Sequence, residues 1–292
     1  MNSRKSVTLP KTDNRSRIRR LGRPLRTGFA VLKALLLVGC NLINPPATPP
    51  APPPTEPTQV PHPPDAPSPE PGWELIAPGA ERKFVQPPNF GPFASVVIHR
   101  FDPTLIRFSA HYSPSAPLWI SDWHSQTPGA VAFINANFFD PSGSPLGLVI
   151  SAGTPYGQGY VGRGGMFATA GDLVWVRSLI TDPYGSASLD TAVQGFPMLI
   201  TDGVPNLGNG SADRTTRRTV VAQDSAGRIL WISTPLLGMT LNDMARFLSE
   251  SGLQIVHALN LDGGGSTMLA SPGSDIPSLD AVPVILAAYP VN

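Results

Sequence analysis

Fourteen prolines fall within the 28 residues from 45 to 72, mixed with Ala, Thr, Glu and Asp. Proline fixes φ and carries no amide donor, so such a run can neither extend a helix nor sit inside a sheet. It favours extended polyproline II and reads as a semi-rigid spacer of about 3.1 Å per residue. Any packed core in the 292 residues must therefore be built elsewhere. A proline-rich ligand for a partner module is the rival reading, and the sequence just upstream favours the spacer.

Charge divides in the same region. The first 39 residues hold ten Lys or Arg and one acid, Asp13, whereas the rest holds eleven bases and nineteen acids. The chain-wide net of +1 is thus the sum of +9 and −8. It lacks the basic excess of a nucleic-acid binder, so no nucleic-acid partner is expected. Behind the basic run, residues 28–38 are apolar except for Lys33, and Leu37-Val38-Gly39-Cys40 follows. Basic, then apolar, then small residues is the layout of a secretory signal. The apolar stretch falls short of the roughly 20 residues of an ordinary bilayer span. The tetrad resembles a bacterial lipobox, which implies that Cys40 is lipidated and becomes the mature N-terminus. As the only cysteine, Cys40 excludes an intramolecular disulfide framework and a multi-Cys zinc cluster. The expected organisation is 1–39 as signal peptide, 40–72 as linker and 73–292 as payload. The expected location is the extracytoplasmic face of a membrane, plain secretion being the alternative.

The payload is long enough for one sizeable core. Short β-type segments separated by Gly, Pro and Asp dominate it. Strands are expected at 95–101, 105–111, 130–137, 147–152, 173–179, 198–201, 219–223 and 228–233, the last two joined through Asp224-Ser225-Ala226-Gly227. One helix is clear: Thr240 caps it, Asp243 answers at the third position, and Leu241, Met244, Ala245 and Leu248 form its apolar stripe before Gly252. A buried strand at 255–261 then runs into Asp262. The fold class expected is α+β, a strand-rich mixed sheet with few helices in a single catalytic domain.

The inventory of reactive groups is narrow. Only Glu74, Glu81 and Glu250 are glutamates in the payload, and Lys83 is its one lysine. Carboxylate chemistry therefore falls to aspartate, and Schiff-base or P-loop chemistry is disfavoured. Ser266 lacks the closing glycine of a nucleophile elbow. His99, His111, His124 and His257 are scattered, and each reads as an ordinary surface or core histidine.

Three segments stand out. In Ile134-Asn135-Ala136-Asn137-Phe138-Phe139-Asp140 an apolar strand suddenly presents two amides and a carboxylate. On a strand Asn135 and Asn137 share a face and suit sugar hydroxyls or a phosphate; a strand ending in an Asx turn is equally consistent. The cluster Arg214-Thr215-Thr216-Arg217-Arg218-Thr219 is the payload's densest positive patch, suited to clamping phosphate, although solvated arginines at a strand entrance are commoner. Finally, Asp262-Gly263-Gly264-Gly265-Ser266-Thr267 closes a buried strand with three glycines whose amides can approach an anion.

Together these segments resemble the phosphodiester glycosidase family. The matching features are Ile134 to Asp140, Pro145-Leu146-Gly147, Gly195-Phe196-Pro197-Met198-Leu199 with Asp202-Gly203, Arg218-Thr219, the helix, and Asn260 to Thr267. Ala136-Asn137 replaces the commoner glycine pair, and Ala222 stands where a glycine is usual. The resemblance implies hydrolysis of a sugar-1-phosphodiester at its glycosidic C–O bond. It assigns the phosphate to Arg218 and the amides of Gly263, Gly264 and Gly265, with Ser266 assisting. Asp262 becomes base or nucleophile, and Asn135 and Asn137 orient the sugar. Asp140 is a further acid/base group or a ligand for a divalent cation, a cofactor the motifs leave open, and Asp202 is a weaker candidate. A non-catalytic envelope protein that binds phosphoglycans and a different cell-wall or polysaccharide hydrolase remain alternatives. The lipid anchor has its own test: Cys40→Ser should shift the protein from the membrane fraction to the soluble one. Unchanged partitioning on fractionation of the producing cells excludes it.

Overall fold

The short connections between apolar runs favour strands that double back on themselves, since a parallel pair needs a crossover of a dozen or more residues. The computed structural model bears this out over residues 70–291, less 89, 91–94, 115, 186–187 and 209–213. The export segment, Cys40 and the linker up to residue 69 lie outside the described residues.

The main sheet has eight strands, ordered Glu74–Ala77, Ala80–Val85, Val96–Phe101, Ile229–Ser233, Thr219–Asp224, Ile255–Asn260, Met198–Thr201 and Val204–Pro205. A second sheet is built around Gly165–Ala170 and Thr191–Gly195. A third carries Val284–Pro290 between Ile106–Tyr112 and Ala132–Asn135. Every ladder among the described residues is antiparallel, so the expectation of a mixed sheet is corrected. Only two α-helices occur among them, Ile120–Gln126 and Leu241–Glu250, and the domain is mostly β. Neither is long and apolar enough to cross a membrane.

Alternation of side chains places the layers. Val97 and Phe101 face a central core shared by all three sheets, together with Phe108, Phe167, Trp231 and Leu259. Val96 and Ile98 face the opposite side, where Met244, Ala245, Phe247 and Leu248 of the long helix cover the sheet. That helix begins as its sequence dictates, with Thr240 Oγ1 accepting from the Asp243 amide at 3.0 Å. The short helix packs Trp123 on the outer face of the third sheet, beside Phe133 and Ile285.

The chain enters the described domain at Glu70. Its carboxylate meets Arg100 at 3.0 Å, and the Arg100 guanidinium lies 4.1 Å from the Trp73 ring and also pairs with Glu81. Glu70 sits below its usual carboxylate range chiefly through the hydrogen bond from Arg100.

The strand expectations hold within a residue or two, except that 130–137 ends at Asn135, leaving Asn137 beyond the strand. Gly165–Ala170, Thr191–Gly195 and Val284–Pro290 were not expected. Trp231 anchors the core, its ring centroid 4.6 Å from Phe101 and 5.9 Å from Phe108. Its indole nitrogen is buried without a partner. Trp231→Ala should therefore cost about 3–5 kcal/mol in urea denaturation, and Trp231→Phe clearly less, since no hydrogen bond is lost.

Candidate active site

The site grows from the end of one buried strand. Ile255–Asn260 lies between Thr219–Asp224 and Met198–Thr201, and the chain continues through Leu261 to Asp262 before a 3-10 turn over Gly264–Ser266. Two backbone bonds carry it forward, Leu261 N to Thr219 O at 2.9 Å and Asp262 N to Ala136 O at 2.9 Å. Asn135 fastens the crossing. Its Nδ2 donates to Asp262 O at 2.7 Å, while its Oδ1 accepts from Thr219 Oγ1 at 2.8 Å and from the Met268 amide at 2.9 Å. The side chain is 1% exposed and its acceptor is spent on the protein, so Asn135 sits as a tie between segments and not as an open sugar contact.

Asp262 is the perturbed group. Burial pushes its carboxyl up to about 6; the Ser266 hydroxyl and the Gly263 amide pull it down, and the Asp280 charge pushes it further up. Its Oδ1 accepts from the Gly263 amide at 2.9 Å. Asp280 reaches the same loop from downstream, its amide and that of Leu279 both donating to Gly265 O. A Cβ on Gly265 would overlap Asp280 Oδ2, so a side chain there would displace the Asp280 carboxylate from the loop. A carboxyl raised in this way titrates near neutrality and suits proton transfer or attack.

The remaining expected residues are distributed differently. Arg218 turns inward: Nε donates to Met239 O at 2.8 Å and one terminal nitrogen to Arg214 O at 2.7 Å. Arg217 packs against the glycine loop, donating to Thr267 O and Pro277 O, with Nε sealed from solvent and partnerless. Burial holds its guanidinium below the usual arginine range. Of the three glycine amides, Gly263 N is spent on Asp262 and Gly264 N on Arg217 O at 2.8 Å. Asn137 is buried, its Nδ2 donating to Leu148 O at 3.2 Å and its Oδ1 unpartnered. Asp140 organises a turn, its Oδ1 accepting from Ser142 N, Ser142 Oγ and Ser144 N. The Ser142 hydroxyl, first among these, holds it below the usual carboxylate range. Asp202 sits in an exposed turn at φ 51°, beside His257. It lies roughly 16 Å along the strand from Asp262 at about 3.3 Å per residue. No group of three His, Cys, Asp or Glu side chains among the described residues is placed to hold a metal ion.

Three residues carry no role in the sequence reading: Asp280 at the loop, and Tyr160 and Arg163 by Phe196, whose amide donates to Asn260 O at 3.0 Å. Gln194 Oε1 accepts from the amides of Leu148 at 3.1 Å and Tyr160 at 2.6 Å, and the Tyr160 hydroxyl donates to Leu146 O at 2.6 Å. The Arg163 guanidinium covers the Tyr160 ring at 4.6 Å and the Phe196 ring at 5.8 Å. Burial raises the Tyr160 phenol, the Arg163 charge opposing and the Asp262 charge adding. The glycine-dense run from Gly157 to Gly165 was the available signal for this loop. Asp280, in Pro277-Ser278-Leu279-Asp280, carries none.

Because the Asp262 carboxyl is raised in the fold, the unfolded chain binds fewer protons between about pH 4 and pH 6, and stability is lost as pH rises through that window. The loss is at most about 3 kcal/mol at 1.36 kcal/mol per unit. Asp262→Asn retains the acceptor for Gly263 N without the charge. Thermal melts at pH 4 and pH 8 should show the variant equal to wild type at the lower pH and more stable at the higher.

The family profile described as phosphodiester glycosidase matches residues 128–287, which hold Asn135, the arginine cluster, Asp262 and Asp280. Among solved structures, the chain is similar to the zebrafish N-acetylglucosamine-1-phosphodiester alpha-N-acetylglucosaminidase catalytic domain auto-inhibited by its pro-peptide. That likeness has a TM-score of 0.58 at 19% identity and covers 74% of this chain and 85% of the other. A hypothetical protein from Synechocystis shares the fold at a TM-score of 0.52 and 17% identity, over 73% of this chain and 62% of its own. No curated protein sequence matches. The matched segment is more than half of the chain and contains the whole glycine loop with its raised carboxyl: the chain belongs to the phosphodiester glycosidase family.

Proposed function

We propose that this protein hydrolyses a sugar-1-phosphodiester at the glycosidic C–O bond, releasing free sugar and a phosphomonoester. The observation that carries this reading is Asp262, a carboxyl raised to about 6 at the end of a buried strand in a chain of this family. As base, Asp262 takes a proton from water while the water oxygen bonds to the anomeric carbon. As nucleophile, its own oxygen makes that bond and water later releases the sugar. In either case the C–O bond breaks with its electron pair leaving on a phosphate oxygen. A phosphodiester oxygen is a weakly basic leaving group, so strong general-acid help is unnecessary. What the step needs is a poised carboxylate and a positive group on the departing phosphate.

The neighbours fit these roles. Ser266 and the Gly263 amide stabilise the Asp262 anion, and Asp280 keeps its proton affinity high. Asn135 holds the Asp262 backbone in place, which matters because a displacement of about 1 Å can cost on the order of 100-fold in rate. Export as a lipoprotein through Cys40, and so action on envelope phosphoglycans, belongs to the same proposal.

The test is a panel of sugar-1-phosphodiesters with the full chain. Product release is expected, with kcat/KM rising with pH through about 6 as Asp262 loses its proton. Asp262→Asn should lower kcat by at least about 100-fold and keep the fold. Binding of phosphoglycan without any product overturns the reading, as does wild-type turnover in the Asp262→Asn variant.

A further inference from the structure

The arginines of the 214–218 cluster that reach the glycine loop are spent on the protein itself. Arg218 bonds to two backbone carbonyls, and Arg217 bonds to two others with its Nε sealed away from solvent. A phosphodiester monoanion beside Asp262 needs a cation with open N–H groups. Arg163 has them: it is exposed, and no carboxylate among the described residues lies within ion-pair distance of it.

We propose that Arg163, seated on the rings of Tyr160 and Phe196, grips the phosphate of the substrate; this rests on the glycosidase reading above. Stacking uses the flat face of the guanidinium and leaves its N–H edge for two parallel bonds to phosphate oxygens. The rings also hold the long side chain in one place, so less freedom is lost when the anion arrives. The backbone is fixed to match. Arg163 is flanked by Gly162 at φ 65° and Gly164 at φ 69°, and a Cβ on Gly164 would overlap Gly195 O. The bend at Arg163 is thereby pressed against the segment that carries Phe196.

The segment that carries Phe196 is tied in turn to the strand that leads to Asp262. Phe196 N donates to Asn260 O at 3.0 Å, and Asn260 Nδ2 donates to Phe196 O at 2.9 Å.

The full chain, as wild type, Arg163→Ala, Arg163→Lys and Arg214→Ala, is assayed on a sugar-1-phosphodiester and on the uncharged nitrophenyl glycoside of the same sugar. Arg163→Ala should raise KM for the phosphodiester at least tenfold and leave KM for the uncharged glycoside within twofold, with Arg163→Lys in between. Equal losses on both substrates, or an effect carried by Arg214→Ala instead, overturn the assignment. Calorimetric binding of inorganic phosphate is read alongside and does not depend on turnover. If the wild type cleaves neither substrate, the glycosidase reading fails, while phosphate binding weakened at least tenfold in Arg163→Ala still supports the anion site. Equal phosphate binding by the two proteins, or none by wild type, overturns it.

Discussion

One side-chain amide decides where the raised carboxyl of Asp262 stands. Asn135 closes the strand Ala132–Asn135 of the third sheet and reaches the main sheet at Thr219, the backbone of Asp262, and the amide of Met268 beyond the glycine loop. A single buried group thus references both ends of the loop to the same two sheets. Buried polar groups are costly when unpaired, and here pairing enforces position. An apolar replacement of similar size would leave the Met268 amide and the Thr219 hydroxyl without this acceptor, and the loop would lose its reference.

The electrostatics follow from that placement. A loop pinned between sheets keeps Asp262 from water, and burial is the largest cause of its raised proton affinity. Asp280, held against Gly265 by the loop's own carbonyl, adds a like charge. Arg217 and Arg218 direct N–H groups at backbone carbonyls and not at the Asp262 carboxylate. The raised carboxyl costs stability, which the apolar core between the three sheets offsets.

Legibility in the sequence tracks how local each cause is. The helix after Thr240 and the hairpin through Asp224-Ser225-Ala226-Gly227 are set by neighbours within a few residues, and both were readable. The glycine triplet after a buried strand was readable for the same reason. Val284–Pro290 was not: its run of apolar residues matches a strand covered on both faces, and nothing in its neighbours marks it as the centre of a sheet. Nor do adjacent arginines reveal which one turns inward, since that depends on Met239 and Arg214 carbonyls arranged by the fold. Asn135 and Asn137 were read as facing one way, but the strand stops between them, and the alternation on which that rested does not reach Asn137.

The Glu70–Arg100 pair has a consequence for how force enters the domain. Asp224 and Gln254 lie at the end of the main sheet where Ile255–Asn260 begins, in a cleft that Glu70 and Arg100 also line, and Asp262 lies past the end where that strand finishes. Six residues of strand, roughly 20 Å, separate the two ends. Glu70 is therefore fastened near the end of the strand opposite to the loop. Any pull on Glu70 bears on the far end of the strands and not on the loop.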